Sequence, residues 1–126
     1  MKTILVVEDH STVRQLLCNA LQSKGYQTLG AASFLEAYEM LWYYASDINL
    51  VLSDVDVDDI HGFDLLKTIK SNPSFSAIPV ALWTNNNRPA KRGAKSASRK
   101  TFKSEKFFKE IDRAMSVKGS MVNLVS

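Results

Sequence analysis

The chain has 126 residues, 45% of them hydrophobic and 23% charged, proportions that suit one ordinary globular domain and exclude a disordered or fibrous chain. A single cysteine, Cys18, excludes an internal disulfide, and the N-terminal apolar run ILVV is too short for a signal peptide or membrane span, so the expected compartment is the cytoplasm. The net charge of +3 hides a polarity: residues 1–84 carry five basic and ten acidic side chains, residues 85–126 eleven and three.

TILVV (3–7) reads as a strand buried on both faces. Ser11 is the expected N-cap of a helix whose Val13, Leu16, Leu17, Ala20 and Leu21 share one face, with Gly25 as its stop. Cys18 falls inside that periodic pattern and is expected to be a small buried thiol. A short strand follows around 27–31, and Ser33-Phe34-Leu35-Glu36 fits a capping box opening a helix through Ala45. NLVLS (49–53) is a second buried strand, FDLLKTIKS (63–71) an amphipathic helix ended by Pro73, and IPVALW (78–83) another strand. NNNRPAKRGAKSASRK (85–100) has six basic residues and no apolar periodicity. SEKFFKEIDRAM (104–115) restores a helix with Phe107, Phe108, Ile111 and Met115 on one face. The closing GSMVNLVS is expected to be a tail or the start of a linker, giving a domain over 1–118 and a tail over 119–126. Apolar strands alternating with helices predict a doubly wound parallel sheet covered on both faces.

The chemistry concentrates in VLSDVDVDDIHGFDLL, which holds five aspartates within eleven positions. In a doubly wound sheet, ligands bind beyond the carboxyl ends of the strands. Glu8 and Asp9 follow the first strand and Asp54 the third, so three carboxylates would converge if those strands are neighbours. A hard divalent cation such as magnesium would offset that charge. Two other chemistries fit the local spacing. A calcium loop starting at Asp54 would need Gly and a bidentate Glu where Asp59 and Leu65 stand. An aspartate-nucleophile phosphatase fits Asp54-Val-Asp56-Val, but that motif normally opens a first strand, and it leaves Glu8-Asp9 unexplained.

Taken together, VVEDH, LSDVDVDDIHGFDLL, VALWT and RKTF resemble the receiver domain of two-component response regulators, from about residue 2 to residue 116. The interval from Asp54 to Gly62 matches that family's acceptor loop, and GAKSASRKTF (93–102) overlays its Gly-Ala-(x)5-Lys-Pro-Phe pattern without a gap. The resemblance implies a flavodoxin-like three-layer sandwich with a five-stranded parallel sheet. It also implies a regulatory phosphoacceptor rather than a metabolic enzyme, one that catalyses only its own phosphorylation and dephosphorylation. Asp54 would take a phosphoryl group from a histidine kinase or phosphotransfer protein. Magnesium would be held by Glu8, Asp9, Asp54 and the backbone carbonyl of Asp56. Lys100 and Thr84 would contact the phosphoryl oxygens. Asp58, Asp59 and Asp64 would remain solvated loop or helix-start acids, His61 a surface turn residue and His10 an exposed loop residue.

The sequence also departs from the family. Only NNNRPAKR lies between Thr84 and Gly93, about two helical turns too few, so the fourth helix is expected to be absent or reduced to a turn. Ala97 stands where a switch aromatic is usual. Thr101 replaces the proline after Lys100, and trans geometry is expected there because a cis bond before a non-proline costs ~3 kcal/mol. Asp58 and Asp59 replace a proline and a small residue, and Asn85 another small one. Arg88, Lys91, Arg92, Lys95, Arg99, Lys100, Lys103, Lys106 and Lys109 make the 88–109 stretch cationic. That charge leaves open a phosphorylation-independent interaction module on the same fold, or a homodimer. Without aromatic interleaving or a helix-turn-helix pattern it does not indicate direct nucleic-acid binding.

Overall fold

A computed structural model describes residues 1–57, 59–84 and 105–125. In chain order the elements are β1 (Thr3–Val7), α1 (Ser11–Ser23), β2 (Gln27–Ala31), α2 (Phe34–Tyr44), β3 (Ile48–Asp54), β4 (Asp56–Val57), β5 (Ile60–His61), α3 (Gly62–Lys70), β6 (Val80–Thr84), α4 (Glu105–Met115) and β7 (Met121–Val125). Five strands form one sheet in the order β2-β1-β3-β6-β7, all pairs parallel, while β4 and β5 make a small antiparallel hairpin.

Alternation along the buried strands builds a core on each face of the sheet. Ile4, Val6, Leu50, Leu52, Ala81, Trp83 and Leu124 pack with Val13, Leu17 and Leu21 of α1 and Phe107, Phe108 and Ile111 of α4. Leu5, Val7, Val51, Val80 and Leu82 point the other way, onto Ala37 and Leu41 of α2 and Leu65 and Ile69 of α3. This is the expected doubly wound, flavodoxin-like sandwich. Cys18 lies in the α1 core, where burial pushes its thiol pKa up and keeps it a packing group. Four helices are found among the described residues; the shortened fourth-helix region, Ala97 and the Lys100–Thr101 peptide lie outside them.

The structure changes three local expectations. His10, not Ser11, caps α1, its Nδ1 accepting the Val13 amide at 3.4 Å. His61 is likewise not a plain turn residue but the N-cap of α3, accepting the Phe63 amide at 3.2 Å. Imidazole nitrogens can supply the acceptor that a helix start needs, although the side-chain oxygens of Ser, Thr, Asp and Asn are the usual acceptors there.

The third change is at the C-terminus. Residues 119–126, expected to be a tail, instead supply β7, which pairs with β6 from Val80↔Met121 to Thr84↔Val125 and fills the fifth position of the sheet. MVNLV is apolar enough for a strand, but it is short and terminal, and as an edge strand it leaves Met121 and Asn123 exposed. Three bonds hold the turn before it: Gly119 N–H to Ala77 O at 2.8 Å, Val80 N–H to Ser120 O at 2.9 Å and Ser120 Oγ to Ala114 O at 2.7 Å. Gly119 sits at φ +72, a conformation that suits glycine. Lys70 ties the same turn to α3, its Nζ donating to the carbonyls of Ser76 (3.1 Å), Ile78 (2.7 Å) and Gly119 (3.0 Å).

Replacing Lys70 by Met removes one charged donor from three carbonyls at once. Lys70→Met is expected to lower unfolding free energy by about 1–3 kcal/mol, read by urea denaturation, and to raise hydrogen exchange first in 119–125. Gly62 is constrained differently: its amide donates to the Val55 carbonyl, and a Cβ there would lie 2.8 Å from both Val55 Cα and Val55 O. Gly62→Ala should therefore cost about 1–3 kcal/mol as an overpacking change, measured in the same denaturation series, with loss of the β4–β5 hairpin.

Candidate acidic site at the strand ends

β1 and β3 are direct neighbours, and from β1 the chain winds first toward β2 and later, from β3, the opposite way toward β6. That reversal opens a crevice at the carboxyl ends of the two strands. The register places Val7 beside Ser53, so Glu8 leaves β1 just where Asp54 ends β3. Glu8, Asp9 and Asp54 each bring a carboxylate oxygen to the same place, these atoms lying within 4.8 Å of one another. Glu8 has 0% exposure and Asp54 2%, whereas Asp9 is only partly covered.

Several backbone contacts fix these side chains. The Glu8 amide donates to Ala31 O at 3.0 Å, and Glu8 Oε2 accepts the His10 amide at 2.8 Å. Arg14 Nη1 donates to the Glu8 carbonyl at 2.7 Å. The Arg14 stem passes over Gly30, where a Cβ would come within 3.4 Å of its Cδ. No local sequence signal pointed to Arg14, because its partner lies back across the α1 turn and its space is provided by β2. On β3, Asp54 Oδ1 accepts the Asp56 amide at 3.1 Å, and Ser53 Oγ donates to the Asp54 carbonyl at 2.9 Å.

The stretch after Asp54 is the β4–β5 hairpin, in which Asp56 faces His61, with His61 Nε2 at 3.9 Å from Asp56 Oδ1. The His61 ring stacks on Phe63 at 5.4 Å. Asp59 is an exposed loop acid, as expected, but it also has a structural role. Its Oδ1 accepts the Phe34 amide at 2.9 Å and its Oδ2 the Leu35 amide at 3.1 Å, so it caps α2 from across the molecule. Sequence spacing could not show this, since donor and acceptor are some 25 residues apart. Asp64 lies in the first turn of α3, as expected of a helix-start acid.

Of the other expected site residues, Thr84 ends β6, one position beyond the Trp83 that pairs with Asp54. Its backbone is thus at the same edge as the acids. Lys100 lies outside the described residues, as does Asp58.

The donor set itself fits a hard divalent ion. Carboxylate oxygens are the donors magnesium accepts, and three of them at this spacing repel one another. The amide hydrogen bonds from His10 to Glu8 Oε2 and from Asp56 to Asp54 Oδ1 orient these two carboxylates.

Comparison with known proteins agrees with this architecture. The family model for the response regulator receiver domain matches residues 4–112. Chemotaxis protein CheY1 of Helicobacter pylori (strain ATCC 700392 / 26695) is 34% identical over 88 residues, spanning 69% of this chain and 70% of that protein. A sensor kinase, CckA of Brucella abortus (strain 2308), is 38% identical over 80 residues, 63% of this chain but only 8% of that protein. Among solved structures, a putative response regulator from Chloroflexus aurantiacus J-10-fl superposes with a TM-score of 0.75 at 22% identity, covering 91% of this chain and 98% of that one. With the acids gathered at the switch point of a five-stranded parallel sheet and the family model spanning all but its ends, the chain belongs to the response regulator receiver domain family.

Proposed function

We propose that the chain is a phosphoacceptor switch in which Asp54 receives a phosphoryl group from the phosphohistidine of a histidine kinase or phosphotransfer protein. The observation that carries this is the convergence of Glu8, Asp9 and Asp54 within 4.8 Å at the switch point. In the transfer, a carboxylate oxygen of Asp54 forms a bond to phosphorus as the P–N bond to the donor imidazole breaks. The electron pair returns to that nitrogen, and the product is an aspartyl phosphate that water later hydrolyses.

Magnesium would be held by Glu8, Asp9, Asp54 and the carbonyl of Asp56, and when bound would neutralise charge between the attacking and transferring oxygens. Glu8 is held by the His10 amide and, through its carbonyl, by Arg14, so it offers its carboxylate with little reorganisation. The Asp56 amide fixes Asp54 Oδ1, which orients the carboxylate for attack. Thr84 would donate its hydroxyl and Lys100 its ammonium to the transferred group. The compartment we assign is the cytoplasm. The domain is a regulator rather than a metabolic enzyme, its chemistry limited to its own modification and hydrolysis. Output would pass through protein contacts that differ between the two states.

Intact-mass spectrometry after incubation with magnesium and a small acyl phosphate is expected to show a gain of one phosphoryl group. The gain should vanish in Asp54→Asn and without magnesium. Absence of any gain in folded protein would instead favour the phosphorylation-independent module working through the basic 88–109 stretch. Magnesium binding has its own readout in Trp83, which pairs with Asp54 in the sheet. In a Trp42→Phe background, leaving one of the two tryptophans, magnesium should change Trp83 emission saturably. Asp9→Asn should weaken that response by about tenfold or more, the loss expected for one ligand or its close support.

A further inference from the structure

The exposed surface of α2 is unlike that of the other helices. Among the described residues, eight large hydrophobic side chains are exposed, and four of them, Leu35, Trp42, Tyr43 and Tyr44, belong to this one helix. Leu35 (67% exposed), Glu39, Trp42 (58%) and Tyr43 (83%) fall at i, i+4, i+7 and i+8, along one side of the helix. A solvated helix face would carry charged residues there, and single exposed apolar residues need no explanation, but a cluster of this kind marks an interaction surface.

The cluster is also ordered. Trp42 packs edge-on against Phe75 at 4.9 Å and against Tyr38 at 6.3 Å, and Tyr38 in turn meets Phe34 at 5.4 Å. Asn72 Nδ2 donates to the Tyr38 hydroxyl at 3.1 Å. Trp42 is therefore an aromatic anchor held in one orientation with much of its ring open, the type of residue that dominates binding at protein interfaces. Charge specifies the partner. Residues 34–44 contain Glu36 and Glu39 and no Lys or Arg, and the exposed Asp47 follows.

A second feature connects this surface to the acceptor. Asp54 Oδ1 holds the Asp56 amide, Asp56 pairs with His61 in the hairpin, and Asp59 in the same hairpin caps the Phe34 and Leu35 amides. Phe34 begins the ring series that ends at Trp42, and Leu35 is on the exposed face itself. Phosphorylation on the other carboxylate oxygen would turn Asp54 Oδ1 into a neutral carbonyl oxygen, a weaker acceptor for the Asp56 amide, and the hairpin carries that change toward the α2 start. We propose that the acidic–aromatic face of α2 docks a cationic amphipathic helix of a partner protein, and that Asp59 is the positioning residue coupling this face to phosphorylation of Asp54. The docking surface stands independently; the coupling rests on the acceptor role proposed above.

The test uses the full chain and a fluorescent amphipathic helical peptide of leucine and lysine, with a twin in which glutamate replaces lysine. Anisotropy should show binding of the lysine peptide only. Leu35→Ser combined with Tyr43→Ser should weaken it by about tenfold or more, as expected for interface anchors, whereas Lys106→Glu with Lys109→Glu should not. Equal binding of the two peptides, or indifference to the α2 substitutions, overturns the surface. Intact mass is recorded on the same samples. With a phosphoryl gain, peptide affinity should shift by about threefold or more, within the range of ordinary coupling energies, and Asp59→Ala should abolish the shift while retaining the mass gain. A mass gain with no shift, or a shift that survives Asp59→Ala, overturns the coupling. No mass gain overturns the acceptor role and the coupling with it, while the peptide titration still decides the surface.

Discussion

The parallel pairing of β1 with β3, with Val7 beside Ser53, is the constraint on which the rest of the site depends. Side chains on a strand alternate between faces, so slipping that register by one residue would exchange the two cores and move the acids off the crevice. The register is held by packing on both faces. Ile4 and Val6 serve one core while Leu5 and Val7 serve the other, so a slip would force two fully buried faces to repack at once. Once β1 and β3 are side by side, the first residues beyond their ends must lie together, and those residues are Glu8, Asp9 and Asp54.

Holding carboxylates at 0% and 2% exposure opposes folding, because burial takes polar groups out of water. The sheet and helices supply the stability that allows it. Oriented backbone amides on Glu8 and Asp54 and the Arg14 contact to the Glu8 carbonyl reduce the cost locally. Gly62 plays its part by steric economy: the chain returns so close to Val55 that no side chain fits. The short hairpin that results projects Asp59 onto the start of α2. The segment that follows Asp54 is thus bonded to a helix that supplies none of the three clustered carboxylates. Such a link gives a local chemical change somewhere to go.

At the opposite edge, β7 completes the sheet from residues beyond the stretch that the family model matches. Its placement depends on Lys70, Gly119 and Ser120, each acting on backbone groups of a different segment. β6, whose end carries Thr84, is therefore paired on both sides, with β3 and with β7. A strand fixed in this way gives the carboxyl edge a rigid floor.

The doubly wound sandwich, the order of its elements apart from β4, β5 and β7, and the two-faced core could be read from the residues alone, because apolar runs and helical periodicity are local patterns of five to fifteen positions. So could the gathering of Glu8, Asp9 and Asp54, given only that their strands are neighbours. Helix starts were legible to within a residue, yet the identity of two caps was not, since His10 and His61 act through a ring nitrogen that composition does not advertise. What only the tertiary structure decided are bonds between segments far apart in the chain: Arg14 on Glu8, Asp59 on α2, Lys70 on the turn before β7, and β7 itself beside β6. A hydrogen bond of this kind needs one donor and one acceptor and leaves no periodic trace. Its partners are chosen by where the packed elements happen to bring backbone groups that must be satisfied, and that choice exists only once the core has formed.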